Sequence, residues 1–185
     1  MRLDHIAFRV SSKDGAKNLL SKLLGYTIKQ PFEIFFEDGS TVECFALKPP
    51  EDISKKLNHK LFPTVGYATA HYHMAPEIFV SEGGTNSIAK NWVEKQNGVG
   101  GIHHLAYESD DIEWDVKRWK KHGIEFSTDG IIECPDDELR QIFTKPLPAL
   151  GNIILELIQR GDKGFCGNSV KRLMESTKDR NEDKK

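Results

Sequence analysis

"LDHIAFRV" at residues 3–10 and "IHHLAYES" at residues 102–109 can be laid one above the other without a gap. His5 then falls on His104, Ile6 on Leu105, Ala7 on Ala106 and Phe8 on Tyr107. Each stretch reads as a strand, and an amphipathic helix follows each. The first helix carries an apolar stripe of Ala16, Leu19, Leu20, Leu23 and Leu24, the second one of Ile112, Val116 and Trp119. Gly25 and Gly123 stand where a helix C-terminus is capped, and further strands follow in "YTIKQPFEIFF" and "IEFSTDGIIEC". One matched pair can arise by chance. A matched series of strand, helix, glycine and strand marks an internal repeat.

Both copies continue as hairpins. "EIFFEDGSTVECFAL" holds an Asp38-Gly39 turn between alternating segments. In the second copy "DDELRQIFTKP" and "GNIILELIQR" are strands joined by a Pro/Gly loop. The first copy carries a Pro-interrupted insertion around 49–75, and its last strand is "PEIFVS" at 76–81. The expected fold is α+β: two βαβββ modules forming a pseudo-symmetric pair of curved mixed sheets. Module one spans 1–84, a linking helix 85–97 and module two 98–175, within a single domain 1–175. The charged tail 176–185 has no assigned role.

Composition narrows the function. The 185 residues suit one domain, and 38% hydrophobic with 29% charged residues at a net charge of -2 describes an ordinary soluble protein. Without a basic excess, nucleic acid is not an expected partner. No stretch reaches the ~20 apolar residues of a membrane span, and "MRLDHIAFRV" lacks the features of a signal peptide. Cys44, Cys134 and Cys166 are odd in number and lack CxxC spacing, which fits a reducing compartment better than a disulfide framework. The expected location is cytoplasmic.

Strand alternation selects the residues that carry chemistry. Ile6, Phe8 and Val10 form the face that packs on a helix, so His5 and Ala7 point to the concave side. Likewise Leu105 and Tyr107 face the helix, His104 and Ala106 point inward, and His103 is expected on the face opposite His104. Two histidines thus face one cavity from equivalent places; the alternative is a pair of hydrogen-bonded core histidines. Glu156, flanked by Ile154, Leu155, Leu157 and Ile158, is a carboxylate in a strand that should be buried. Such a group needs a cation or a raised pKa. A salt bridge to Arg140 or Arg160 is one solution; a metal is the other. Two histidines and a carboxylate are the donor set of open catalytic sites for divalent ions. His71 and His73 in "AHYHMAP" are a second, unsupported pair, because the other copy holds no counterpart.

The paired βαβββ plan with His5, His104 and Glu156 resembles the vicinal-oxygen-chelate superfamily, which includes glyoxalase I, methylmalonyl-CoA epimerase and ring-cleaving and keto-acid dioxygenases. Residues 77–109 are similar to the epimerase pattern of an acid-bearing strand, an "IAK" helix and "GIHH". That resemblance implies Glu77 as a fourth metal ligand beside His5, His104 and Glu156, and Glu43 as a second acid/base carboxylate. Residues 139–168 are instead similar to the C-terminal half of 4-hydroxyphenylpyruvate dioxygenase. There the resemblance implies that Gln141, Phe143, Phe165 and Asn168 line the substrate pocket and that Glu156 binds iron. The chain departs from that dioxygenase at His103, at Ser87 and at Ser169, and by bearing a carboxylate at position 77.

The resemblance implies a divalent cobalt, manganese, zinc, nickel or iron ion and a small-molecule substrate, and is compatible with a homodimer. The first functional expectation is an enolising epimerase or isomerase on a 2-oxo or acyl-thioester substrate, with Glu156 and Glu43 exchanging the proton. An Fe(II) keto-acid dioxygenase is the alternative. A metal-free small-molecule binding protein is the third reading.

Overall fold

In the computed structural model, which describes residues 1–50, 75–134, 139–161 and 164–177, the first repeat stretch becomes β1, Arg2–Val10. The expected His71 and His73 pair lies outside the described residues. The first copy continues with α1 (Lys13–Leu24), β2 (Thr27–Phe35), β3 (Thr41–Lys48) and β4 (Glu77–Gly83). Helix α2 (Ile88–Lys95) leads to β5 (Gly100–Glu108), the second repeat stretch. Helix α3 (Ile112–Lys121), β6 (Ile132–Cys134), β7 (Leu139–Phe143), β8 (Ile154–Gln159) and α4 (Gly167–Glu175) complete the second copy.

Local chemistry sets these boundaries. Ser12, Ser87 and Asp111 each accept a hydrogen bond from a first-turn amide of α1, α2 and α3. Gly25 closes α1 in the left-handed region at φ 73°. Gly39, at φ 79°, turns the β2–β3 hairpin expected from Asp38-Gly39.

The strands form one curled sheet in the order β2-β3-β4-β1-β5-β8-β7-β6. Each module contributes four strands, and the two halves join through the antiparallel β1–β5 pair. Beside that seam β1 runs parallel to β4, and β5 parallel to β8. The expected pair of sheets is therefore continuous. On its convex side Ile6, Phe8 and Val10 pack with Ala16 and Leu20 of α1, while Ile112 and Val116 of α3 pack on Ile142 and Leu157. The expected stripe of α1 is narrower than read: Leu19, Leu23 and Leu24 are exposed. The strand expected over 124–134 is also shorter, since residues before β6 form a turn in which the Thr128 hydroxyl donates to the Gly130 carbonyl. On the concave side Ala7, Phe79 and Ala106 share a core with Phe165, Val170 and Met174, so that α4 covers the hollow of the sheet.

Candidate metal centre

Three strands send one donor each into the hollow: His5 from β1, His104 from β5 and Glu156 from β8. His5 Nε2 lies 3.2 Å from His104 Nε2 and 3.4 Å from Glu156 Oε2. His104 Nε2 lies 3.1 Å from the same carboxylate oxygen. All three residues are buried, and among the described residues they are the one such group able to hold a metal ion. Neither sequence-based salt bridge to Glu156 forms. Arg140 pairs with Glu113 and Glu133, and Arg160 with Asp4 and Glu77.

Two bulges in the β1–β5 seam shape this centre. Ala7 faces His104 but Phe8 faces Ile102, so His103 is an extra residue in β5. Leu3 faces Tyr107 but His5 faces Ala106, so Asp4 is an extra residue in β1. A bulge breaks the two-residue period and re-aims the side chains beside it. His103, expected opposite His104, therefore lines the same cavity, with its Nδ1 2.9 Å from His104 Nδ1. Asp4 Oδ1 lies 2.7 Å from His5 Nδ1. In each half, the residue before the histidine holds its Nδ1 and leaves Nε2 toward the carboxylate. That is how metal-ligating imidazoles are commonly fixed.

The carboxylate is fixed too. Gln141 Nε2 donates to Glu156 Oε1 at 2.7 Å, and the Ser169 hydroxyl donates to Gln141 Oε1 at 2.9 Å. Glu156 Oε2 is thereby turned to the histidines. Burial alone would raise the Glu156 pKa, but attraction to His5 and hydrogen bonds from both histidines hold it at about 2. Burial would lower that of His5, yet Glu156 and Asp4 push it up to about 9. Burial, with the charges of His5 and Arg9, lowers His104, and His103 is pushed well below the usual histidine range for similar reasons. By themselves these three side chains are therefore an imidazolium, a neutral imidazole and a carboxylate. A divalent cation displacing the His5 proton matches this donor set.

Several expected site residues lie elsewhere. Glu43 is on the helix side of β3, because alternation gives the concave face to Val42, Cys44 and Ala46; its carboxylate pairs with Lys13. Glu77 is not in the cluster: its oxygens accept from Lys29 at 2.7 Å and Arg160 at 3.0 Å. The register explains why. On β8 Glu156 stands opposite Ala106; the symmetric place, opposite Ala7 on β4, belongs to Phe79, and Glu77 is two residues short of it, opposite His5. Of the expected pocket residues, Gln141, Phe143 and Phe165 line the cavity. The rings of Phe143 and Phe165 lie 4.7 Å from His104 and 5.0 Å from His5. Asn168 does not join them: the turn of α4 exposes it and buries Ser169. The cysteine reading is corrected as well, since Cys134 and Cys166 form a disulfide between β6 and the N-terminal end of α4; Cys44 alone is free.

Sequence reasoning passed over Asp4 and Arg9, and noted Ser169 only as a departure, without a role. Arg9 was within reach of it, because the alternation that turns His5 and Ala7 inward continues to Arg9, which lines the cavity. No helix of the described residues is long and apolar enough to cross a membrane.

A curled eight-stranded sheet with a His, His, Glu centre in its hollow defines a class, and the family comparison agrees. The Glyoxalase/Bleomycin resistance protein/Dioxygenase superfamily matches residues 4–138, and the chain belongs to it. Among solved structures, a methylmalonyl-CoA epimerase is similar at TM-score 0.61 and 21% identity, over 88% of this chain and 97% of that one. The Mycobacterium tuberculosis methylmalonyl-CoA epimerase gives 0.60 and 17%, over 86% and 88%. A mutant 4-hydroxymandelate synthase from Streptomyces coelicolor gives 0.73 and 17%; it covers 98% of this chain, which spans 54% of that one. No curated protein matches by sequence.

Proposed function

We propose that the chain is a metal-dependent enzyme with a three-ligand site of the dioxygenase kind, acting on a 2-oxo acid. The observation that carries this reading is the donor set: His5, His104 and Glu156 offer one atom each, and the place symmetric to Glu156 holds the phenyl ring of Phe79. Bound there, a divalent ion such as Fe(II) would supply open positions for neighbouring substrate oxygens and for dioxygen. The chain's residues do the positioning. Asp4 and His103 orient the imidazoles, and Gln141, steadied by Ser169, holds Glu156 Oε1 away from the metal position. Phe143 and Phe165 form apolar walls against the histidine rings.

Two-base epimerisation asks for a second carboxylate beside the substrate carbon. Glu43 faces the other side of the sheet and Glu77 is held by Lys29 and Arg160, so that reading has less support. The deciding experiment loads the protein with Fe(II) and follows oxygen consumption with a panel of 2-oxo acids. Uptake that needs both iron and a 2-oxo acid, and disappears in His104→Ala, supports the proposal. Deuterium incorporation beside the carbonyl in heavy water, with no oxygen consumed, would return the chain to the enolising class.

A further inference from the structure

The wall of the cavity contains a cation that no anion among the described residues faces. Arg9 lies beyond His5 and Ala7 on the inward face of β1, and is 3% exposed. Its Nη2 donates to the Thr177 hydroxyl at 3.3 Å, and its guanidinium lies 5.9 Å from the Trp92 ring. Nη1 is buried and has no hydrogen-bond partner among the described residues, and no carboxylate among them pairs with the group. Among the described residues, the ionisable group that would favour its charge is the Cys44 thiol, which burial pushes up and keeps neutral. Burial lowers Arg9 only to about 9, so the guanidinium stays charged at neutral pH. A buried cation with no paired anion is costly, and a bound anion would offset that cost.

We propose that Arg9 anchors a second carboxylate on the substrate, making the substrate class a 2-oxo acid with a distal carboxylate. The assignment of the 2-oxo end rests on the metal reading above; the anionic anchor does not. Arg9 follows His5 by four strand residues, about 13 Å between Cα atoms at the usual rise, and both side chains lie in one hollow. A chain of several carbons between the two acid groups bridges that span. Val170, Leu173 and Met174 of α4 give the hollow an apolar lining for the carbons. The planar fork of the guanidinium, with Nη1 unused, suits a carboxylate.

The test is calorimetric and uses the whole chain. Co(II)-loaded protein is titrated with 2-oxo diacids from 2-oxoglutarate to 2-oxosuberate, each beside the monoacid of equal chain length. At least one diacid should bind about ten-fold or more tightly than its monoacid, as a charge-assisted pair provides. Arg9→Met should abolish that preference, while Arg9→Lys retains part of it. Metal-free protein is titrated with hexanoate and hexanamide, and the acid should be preferred until Arg9 is replaced. If Co(II) fails to strengthen monoacid binding while this metal-free preference holds, the metal reading falls and the anchor stands. Wild-type protein that prefers neither any diacid nor hexanoate overturns the anchor, as does a preference that survives Arg9→Met.

Discussion

Glu156 has two oxygens with different duties, and Gln141 is what separates them. Replacing Gln141 with leucine frees Oε1 and leaves the carboxylate to rotate. Metal affinity should fall about 10- to 100-fold, as is usual when a partner that orients a ligand is lost; competition with a chelating dye measures it. Proton linkage gives a second prediction. His5 is raised from 6.5 to about 9 in the metal-free protein, so its stabilisation is fully present below pH 6.5 and lost as pH rises through about 9. Glu156 is lowered from 4.5 to about 2, so its stabilisation is present above pH 4.5 and lost as pH falls through about 2. Urea denaturation against pH should show both flanks in the wild type, each reduced in Glu156→Gln. Metal binding must also expel the His5 proton, so affinity should climb through the neutral range, with close to one proton released in calorimetry at pH 7. His5, His104 and Glu156 were legible because alternation survives where they sit. Asp4 and His103 were not, since each occupies a bulge that breaks the very period used to read faces.

At the level of elements, α4 closes the concave side and is tied at its start by the Cys134–Cys166 disulfide, across a sequence separation of 32. Closing a loop of that length stabilises by about 3–4 kcal/mol on the chain-entropy estimate. Cys134→Ser should therefore lower the urea midpoint in non-reducing buffer, and a reductant should bring the wild type to the same midpoint; equal midpoints throughout would mean that the pair contributes nothing. The hairpin at Asp38-Gly39 and the caps of α1, α2 and α3 were readable because turn and cap chemistry is local. The disulfide and the rotation of α4 were not. Cysteine spacing carries no information about which strand a helix will cross, and a shift of one helical residue exchanges Asn168 for Ser169 in the interior.

For the whole molecule, the repeat was readable from eight residues in each copy, because both copies must bury the same face against the same seam. The centre draws His5 from one module and His104 and Glu156 from the other, so a bound ion fastens the halves together. Saturation at 100 times the dissociation constant should add about 2.7 kcal/mol to stability. Thermal denaturation with Co(II), then with excess chelator, should show that rise and its reversal; His104→Ala should respond to neither. Phe79 gives the pseudo-symmetry a further meaning. It stands where an exact two-fold duplication would set a second Glu156, with its ring 5.1 Å from that of Phe165. The scaffold thus has an address for one more ligand and fills it with a hydrocarbon. On the reading proposed above, Phe79→Glu would set a fourth ligand, a carboxylate, at that address.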